Sequence, residues 1–78
     1  MDNICPLSEL CIGGSGSVVS MDTAGVGRKR MLDLGLIRGT KVKALMMSPS
    51  GDPTAYCIRG SVIALRADDA RKIFVQPI

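Results

Sequence analysis

Histidine and tryptophan are absent from this chain, and Tyr56 and Phe74 are its only aromatic side chains. Without histidine the commonest neutral metal ligand is missing, and so is the usual base for a serine or cysteine nucleophile. Asp68 and Asp69 are a carboxylate pair, but adjacent helical positions do not face each other, so no acid–base couple stands in for it. The residues therefore point away from an enzyme. The shortage of aromatics leaves an aliphatic core and few platforms on which bases could stack, which argues against a nucleic-acid partner. The three cysteines, Cys5, Cys11 and Cys57, show no CxxC spacing, and their odd number leaves at least one thiol unpaired within the chain. Free thiols suit a reducing compartment. No apolar run approaches the roughly 18 residues of a spanning helix. Asp2 and Glu9 precede the first cation, Arg28, so no basic leader is visible. The expectation is an unprocessed, soluble, cytoplasmic chain.

What is present is a short aliphatic chain of 78 residues, read as one domain over 1–78, with a net charge of +3. That excess is too small for a dedicated nucleic-acid binder. Residues 1–16 are small and apolar: Pro6 opens a turn, Leu7, Leu10 and Ile12 face a core, and Ser8, Glu9 and Leu10 make one helical turn. Gly13-Gly14-Ser15-Gly16 is a loop without the Gly-Lys-Ser/Thr ending of a phosphate-binding loop. Ser17 to Met21 reads as a strand.

Asp22 or Thr23 caps a helix placed at 26–35, in which Met31, Leu32 and Leu34 share an apolar arc and Gly35 ends the helix. Lys41 to Met47 reads as a strand, with Val42, Ala44 and Met46 on one face and Leu45 and Met47 on the other. Ser48 to Pro53 is a loop. Thr54–Ile58 and Ser61–Leu65 form a hairpin turned at Gly60, 67–72 is a short helix, and Phe74 and Val75 close the domain as a strand. About five short strands with one or two short helices indicate a mainly β chain folded as a small barrel.

The basic cluster Arg28-Lys29-Arg30 reads as a solvated face, a protein contact or an anion site. Cys57, in mid-strand, reads as a small buried hydrophobe. Cys5 and Cys11 with nearby carboxylates are the weak candidates for a transition metal, Fe2+ or Zn2+, although the ligand set falls short of four. Gly35, Gly39, Gly51 and Gly60 sit where turns are expected.

Taken in order, several pieces resemble one family. Leu7-Ser8-Glu9-Leu10 precedes a glycine-containing turn. Arg30-Met31-Leu32-Asp33-Leu34-Gly35-Leu36-Ile37-Arg38-Gly39-Thr40 is similar to the Arg-hydrophobic-hydrophobic-x-Leu-Gly-hydrophobic-x-x-Gly segment of the FeoA family. Ser48-Pro49-Ser50-Gly51-Asp52-Pro53 resembles its Pro-Leu-Gly-Asp-Pro loop, with Ser50 in place of leucine, and Ile58-Arg59-Gly60 and Ala64-Leu65-Arg66 match its terminal pattern. The resemblance implies an SH3-like barrel, a fold shared with the C-terminal domain of iron-dependent repressors. It implies an adaptor of ferrous iron uptake that binds and regulates FeoB, a membrane transporter with a cytosolic GTP-binding region, at the inner face of the membrane. On that reading Arg28, Lys29 and Arg30 steer the chain toward an acidic surface, and Leu36, Met47 and Pro49 anchor it in a groove between the loop at 48–53 and the helix at 26–35. A metal-responsive module is the alternative, a nucleic-acid-binding barrel a more distant one, and self-association stays open.

Overall fold

The computed structural model describes residues 3–22, 29, 32–33 and 35–78. The chain runs through β1 (Cys5–Pro6), a 3-10 turn (Leu7–Glu9), β2 (Ser15–Met21), β3 (Lys41–Met47), β4 (Thr54–Ile58), β5 (Ser61–Leu65), α1 (Ala67–Ala70) and β6 (Ile73–Pro77). The strands form one six-stranded sheet in the order β1-β6-β2-β3-β4-β5. Every pairing is antiparallel.

Strand alternation builds the core. Val42 and Ala44 of β3, Tyr56 and Ile58 of β4, Leu65 of β5, and Ile73 and Val75 of β6 all turn inward, because residues two apart share a face. Leu7 from the 3-10 turn, Leu36 from the loop before β3 and Ala70 from α1 plug the open side. Tyr56 carries its hydroxyl into this interior, where it donates to the Leu7 carbonyl at 3.5 Å. That contact is long for an O–H donor, so its net worth is small.

Burial pushes the Tyr56 phenol above its ordinary value, with a Thr54 hydrogen bond opposing and the Asp52 charge adding less. A raised folded pKa means that the unfolded state releases its proton first. The stabilisation is therefore whole below about pH 10 and is lost as pH rises through the folded value. Tyr56→Phe is expected to change Tm little at neutral pH and to flatten the fall of Tm above about pH 10. Melting curves of both proteins from neutral to strongly alkaline pH measure this, and identical alkaline slopes would refute it.

Four sequence expectations need correction. β1 was not anticipated: its two residues pair with Val75 and Phe74, a contact that no local pattern announces. β2 starts at Ser15, two residues earlier than expected, so half of the glycine-rich loop is strand. The helix expected over 67–72 is only Ala67–Ala70. Alternation puts Met46 on the face of Val42 and Ala44, but a register shift between Ala44 and Met46 rotates the end of β3, and Met46 is 65% exposed. The helix expected at 26–35 lies largely outside the described residues; Lys29, Leu32 and Asp33 have helical backbone, and Leu32 is exposed instead of sitting on an inward arc.

Candidate functional site

The register shift in β3 delivers two methionines to the surface. Met46 and Met47 stand exposed beside the loop at 48–53, whose Pro49 is also exposed. The loop is held from within: the Gly51 N–H donates to the Ser48 carbonyl at 2.8 Å and the Ser48 N–H to the Pro53 carbonyl at 3.1 Å. The Ser50 hydroxyl donates to the Asp52 carbonyl at 2.9 Å, so the residue that replaces the family's leucine knits the loop locally. Asp52 reaches across to α1, where its carboxylate accepts the Ala67 N–H at 2.8 Å. That satisfies one of the orphan donors at the helix start, since Arg66 makes no side-chain cap.

The segment 35–40 is equally tied. Gly35 has φ +90 and donates its N–H to the Leu32 carbonyl at 2.9 Å. The Thr40 hydroxyl donates to the Gly35 carbonyl at 3.0 Å. Gly39 N–H donates to Val18 and Val18 N–H to Thr40, so the loop is stitched to β2. This geometry drives Leu36 fully into the core and leaves Arg38 outside. Leu36 is therefore not a surface anchor, contrary to expectation: its side chain already fills the barrel. Gly39, Gly51 and Gly60 likewise have φ between +83 and +90, as turn positions require.

Of the other residues singled out, Lys29 is exposed, whereas Arg28 and Arg30 lie outside the described residues. The groove expected between the 48–53 loop and the helix at 26–35 lies outside the described residues, as most of that helix does.

Clefts form elsewhere. One of about 380 Å³ crosses the outer face of β2, β3 and β4 and is lined by Ser15, Lys41, Lys43, Cys57, Arg59 and Gly60, over Val42. A second of about 350 Å³ adjoins it, lined by Ile37, Arg38, Gly39, Thr40, and again Lys41 and Arg59. A third, of about 290 Å³, lies over β2 beside Leu32 and Ile37. Sequence reasoning gave no site role to Arg38, Lys41, Lys43 or Arg59. The signal was the alternation Lys41-Val42-Lys43, which puts both ammonium groups on the outer face. Cys57 was expected to be buried; it is half-buried and opens into the first cleft, because it pairs with Lys43.

Arg59 and Gly60 make the two-residue turn between β4 and β5, with φ +53 and +83. Two positive values define a type I′ turn, whose first place favours asparagine or aspartate. An arginine there carries a backbone cost of about 1 kcal/mol. Its side chain runs over Gly35: a Cβ on Gly35 would lie 2.8 Å from Arg59 Cδ.

Among the described residues no three His, Cys, Asp or Glu side chains gather. Cys5 and Cys11 are free thiols. Burial raises the Cys5 pKa, and Glu9 and Cys11 add in the same direction, which disfavours the thiolate a metal needs.

The six-stranded antiparallel sheet with the short helix α1, and clefts over its outer face, is a fold of the SH3-like kind. The FeoA domain model matches residues 5–77, and the chain belongs to the FeoA family. It is 38% identical over 72 residues to the Fe(2+) transport protein A/Fe(2+) transporter FeoB fusion protein of Porphyromonas gingivalis, covering 92% of this chain and 8% of that protein's length. The solution structure of FeoA from Chlorobium tepidum superposes with a TM-score of 0.87 at 37% identity, covering 94% of this chain and 70% of that one. Stenotrophomonas maltophilia FeoA, described as an SH3 domain protein complexed with zinc, superposes with a TM-score of 0.81 at 27% identity over 91% of this chain and 88% of that one. A manganese-dependent transcriptional repressor at 16% identity shares the fold alone.

Proposed function

We propose that the chain is a non-enzymatic accessory protein of ferrous iron uptake, acting by direct contact with a FeoB-type membrane transporter on its cytoplasmic side. The observation that carries this reading is the P. gingivalis fusion, in which a relative of this chain and the transporter share one polypeptide. Joining two modules raises their effective concentration, an advantage when the two must meet. No helix among the described residues is long and apolar enough to cross a membrane, so in this reading the transporter supplies the membrane anchorage. Lys29, with Arg28 and Arg30, steers the encounter, and Met47 and Pro49 supply apolar contact from the loop beside β3. Methionine suits such a surface because its unbranched side chain adapts to a partner.

Deleting the gene is expected to lower ferrous iron uptake by cells, and the wild-type chain to restore it. Immobilised chain is expected to retain detergent-solubilised FeoB from the same genome. Met47→Glu is expected to weaken that retention without lowering Tm. Unchanged uptake together with no retention of FeoB would sink the proposal.

A further inference from the structure

Resting on the adaptor reading, we propose that the groove formed by Arg38, Lys41, Lys43 and Arg59 receives an extended acidic segment of the protein partner. The two clefts share Lys41 and Arg59 in their linings, so the four cations lie along a line of neighbouring clefts over β3, the 35–40 loop and the β4–β5 turn. Together the clefts gather four of the chain's ten cations, all exposed, and no acid among the described residues. No carboxylate among the described residues lies within ion-pair distance of any of the four.

The arrangement works against the isolated fold. Val42 pairs with Ile58 at the end of the β3–β4 ladder, and Lys41 and Arg59 flank that pair and line both clefts, which brings two like charges near one another. Arg59 also holds a left-handed backbone, φ +53, where asparagine would sit with less strain. Repulsion and strain in one place are the mark of a site whose complement comes from outside.

The shape selects the ligand. Lys41 and Lys43 are two strand residues apart, a separation of roughly 6.6 to 6.8 Å. Carboxylates at alternate positions of an extended segment repeat at the same distance. A compact phosphate would instead call for donors converging on one point, whereas these four are strung along a line of clefts. Between the charges the lining is Cys57, Gly60 and the aliphatic stems of the cations, which suits the backbone of a peptide lying flat.

The test is an amide-resonance titration of the labelled chain, at low salt, with an alternating Glu-Ser decapeptide, its Gln-Ser counterpart and tripolyphosphate. The Glu-Ser peptide is expected to shift amides at 38–43 and 57–60 and to lose affinity as salt is raised. Arg59→Asn, and separately Lys41→Gln with Lys43→Gln, are expected to weaken that binding by about tenfold or more. Arg59→Asn keeps the turn and is expected to hold or raise Tm, so its loss of binding cannot be put down to unfolding. Equal shifts from the Gln-Ser peptide, no localised shifts, or saturation of the same amides by tripolyphosphate at far lower concentration would each overturn the proposal. Full-length FeoB separates the two readings. Retention of FeoB by wild type and both variants alike removes the groove and leaves the adaptor. Failure of wild type to retain FeoB, with the Glu-Ser peptide still bound as above, removes FeoB as the partner and leaves the groove.

Discussion

Leu36→Ala is expected to lower Tm by about 10 to 30 °C. Leu36 has no exposed surface and belongs to the core cluster that includes Val18, Val42 and Ile73. Truncating a buried leucine costs roughly 2 to 5 kcal/mol, the transfer of the lost carbons plus the cavity left behind. A domain of 78 residues has roughly 4 to 12 kcal/mol of stability in all. Each kcal/mol moves Tm by about 4 to 8 °C in a domain of this size. The loop carrying Leu36 cannot collapse to fill the void, because Gly35, Gly39 and Thr40 are each held by hydrogen bonds on either side of it. Thermal melts by circular dichroism settle the matter. A Tm within a few degrees of wild type would mean that Leu36 is not core, and would return it to the contact surface.

Gly35→Ala is expected to be the next most damaging single change. Two separate costs meet there. The backbone at φ +90 is one that a side chain resists, at about 1 to 3 kcal/mol. The new Cβ would also stand 2.8 Å from Arg59 Cδ. The second cost is the softer one, since the end of an arginine can swing away, but swinging it away empties one wall of the cationic groove. Gly35→Ala should therefore lose stability and acidic-peptide binding together. In an Arg59→Asn background the contact is gone and the backbone cost remains, so a double-mutant cycle divides them. If Gly35→Ala costs no stability in the Arg59→Asn background, the backbone argument fails.

The strands from β3 to β5 were legible because their alternation is local: Val42 and Ala44, Tyr56 and Ile58 declare an inward face within a few residues. Gly60 marked the hairpin for the same reason. β1 was illegible because two residues hold no period, and its pairing with β6 joins opposite ends of the chain. The outward turn of Met46 hinged on a register shift, which depends on the partner strand and not on β3 itself. The family motif around Gly35 was visible, yet it drew attention to Leu36 as a contact when its role is packing. The groove was hidden for a related reason: Arg38 and Arg59 meet only once the 35–40 loop is stitched to β2 and the β4–β5 turn is folded over Gly35. Individual cations could be read, but their alignment over neighbouring clefts is a property of register.

The place of β6 has a consequence for how the molecule comes into being. β6 is inserted between β1 and β2, an interior position in the sheet. Removal of Ile73–Pro77 would cut this sheet in two and leave β1 with no neighbour. A nascent chain that has not yet released β6 cannot assemble the whole sheet, whatever hairpins it has already formed. Completion must wait for contacts between distant parts of the chain, the kind that slow folding.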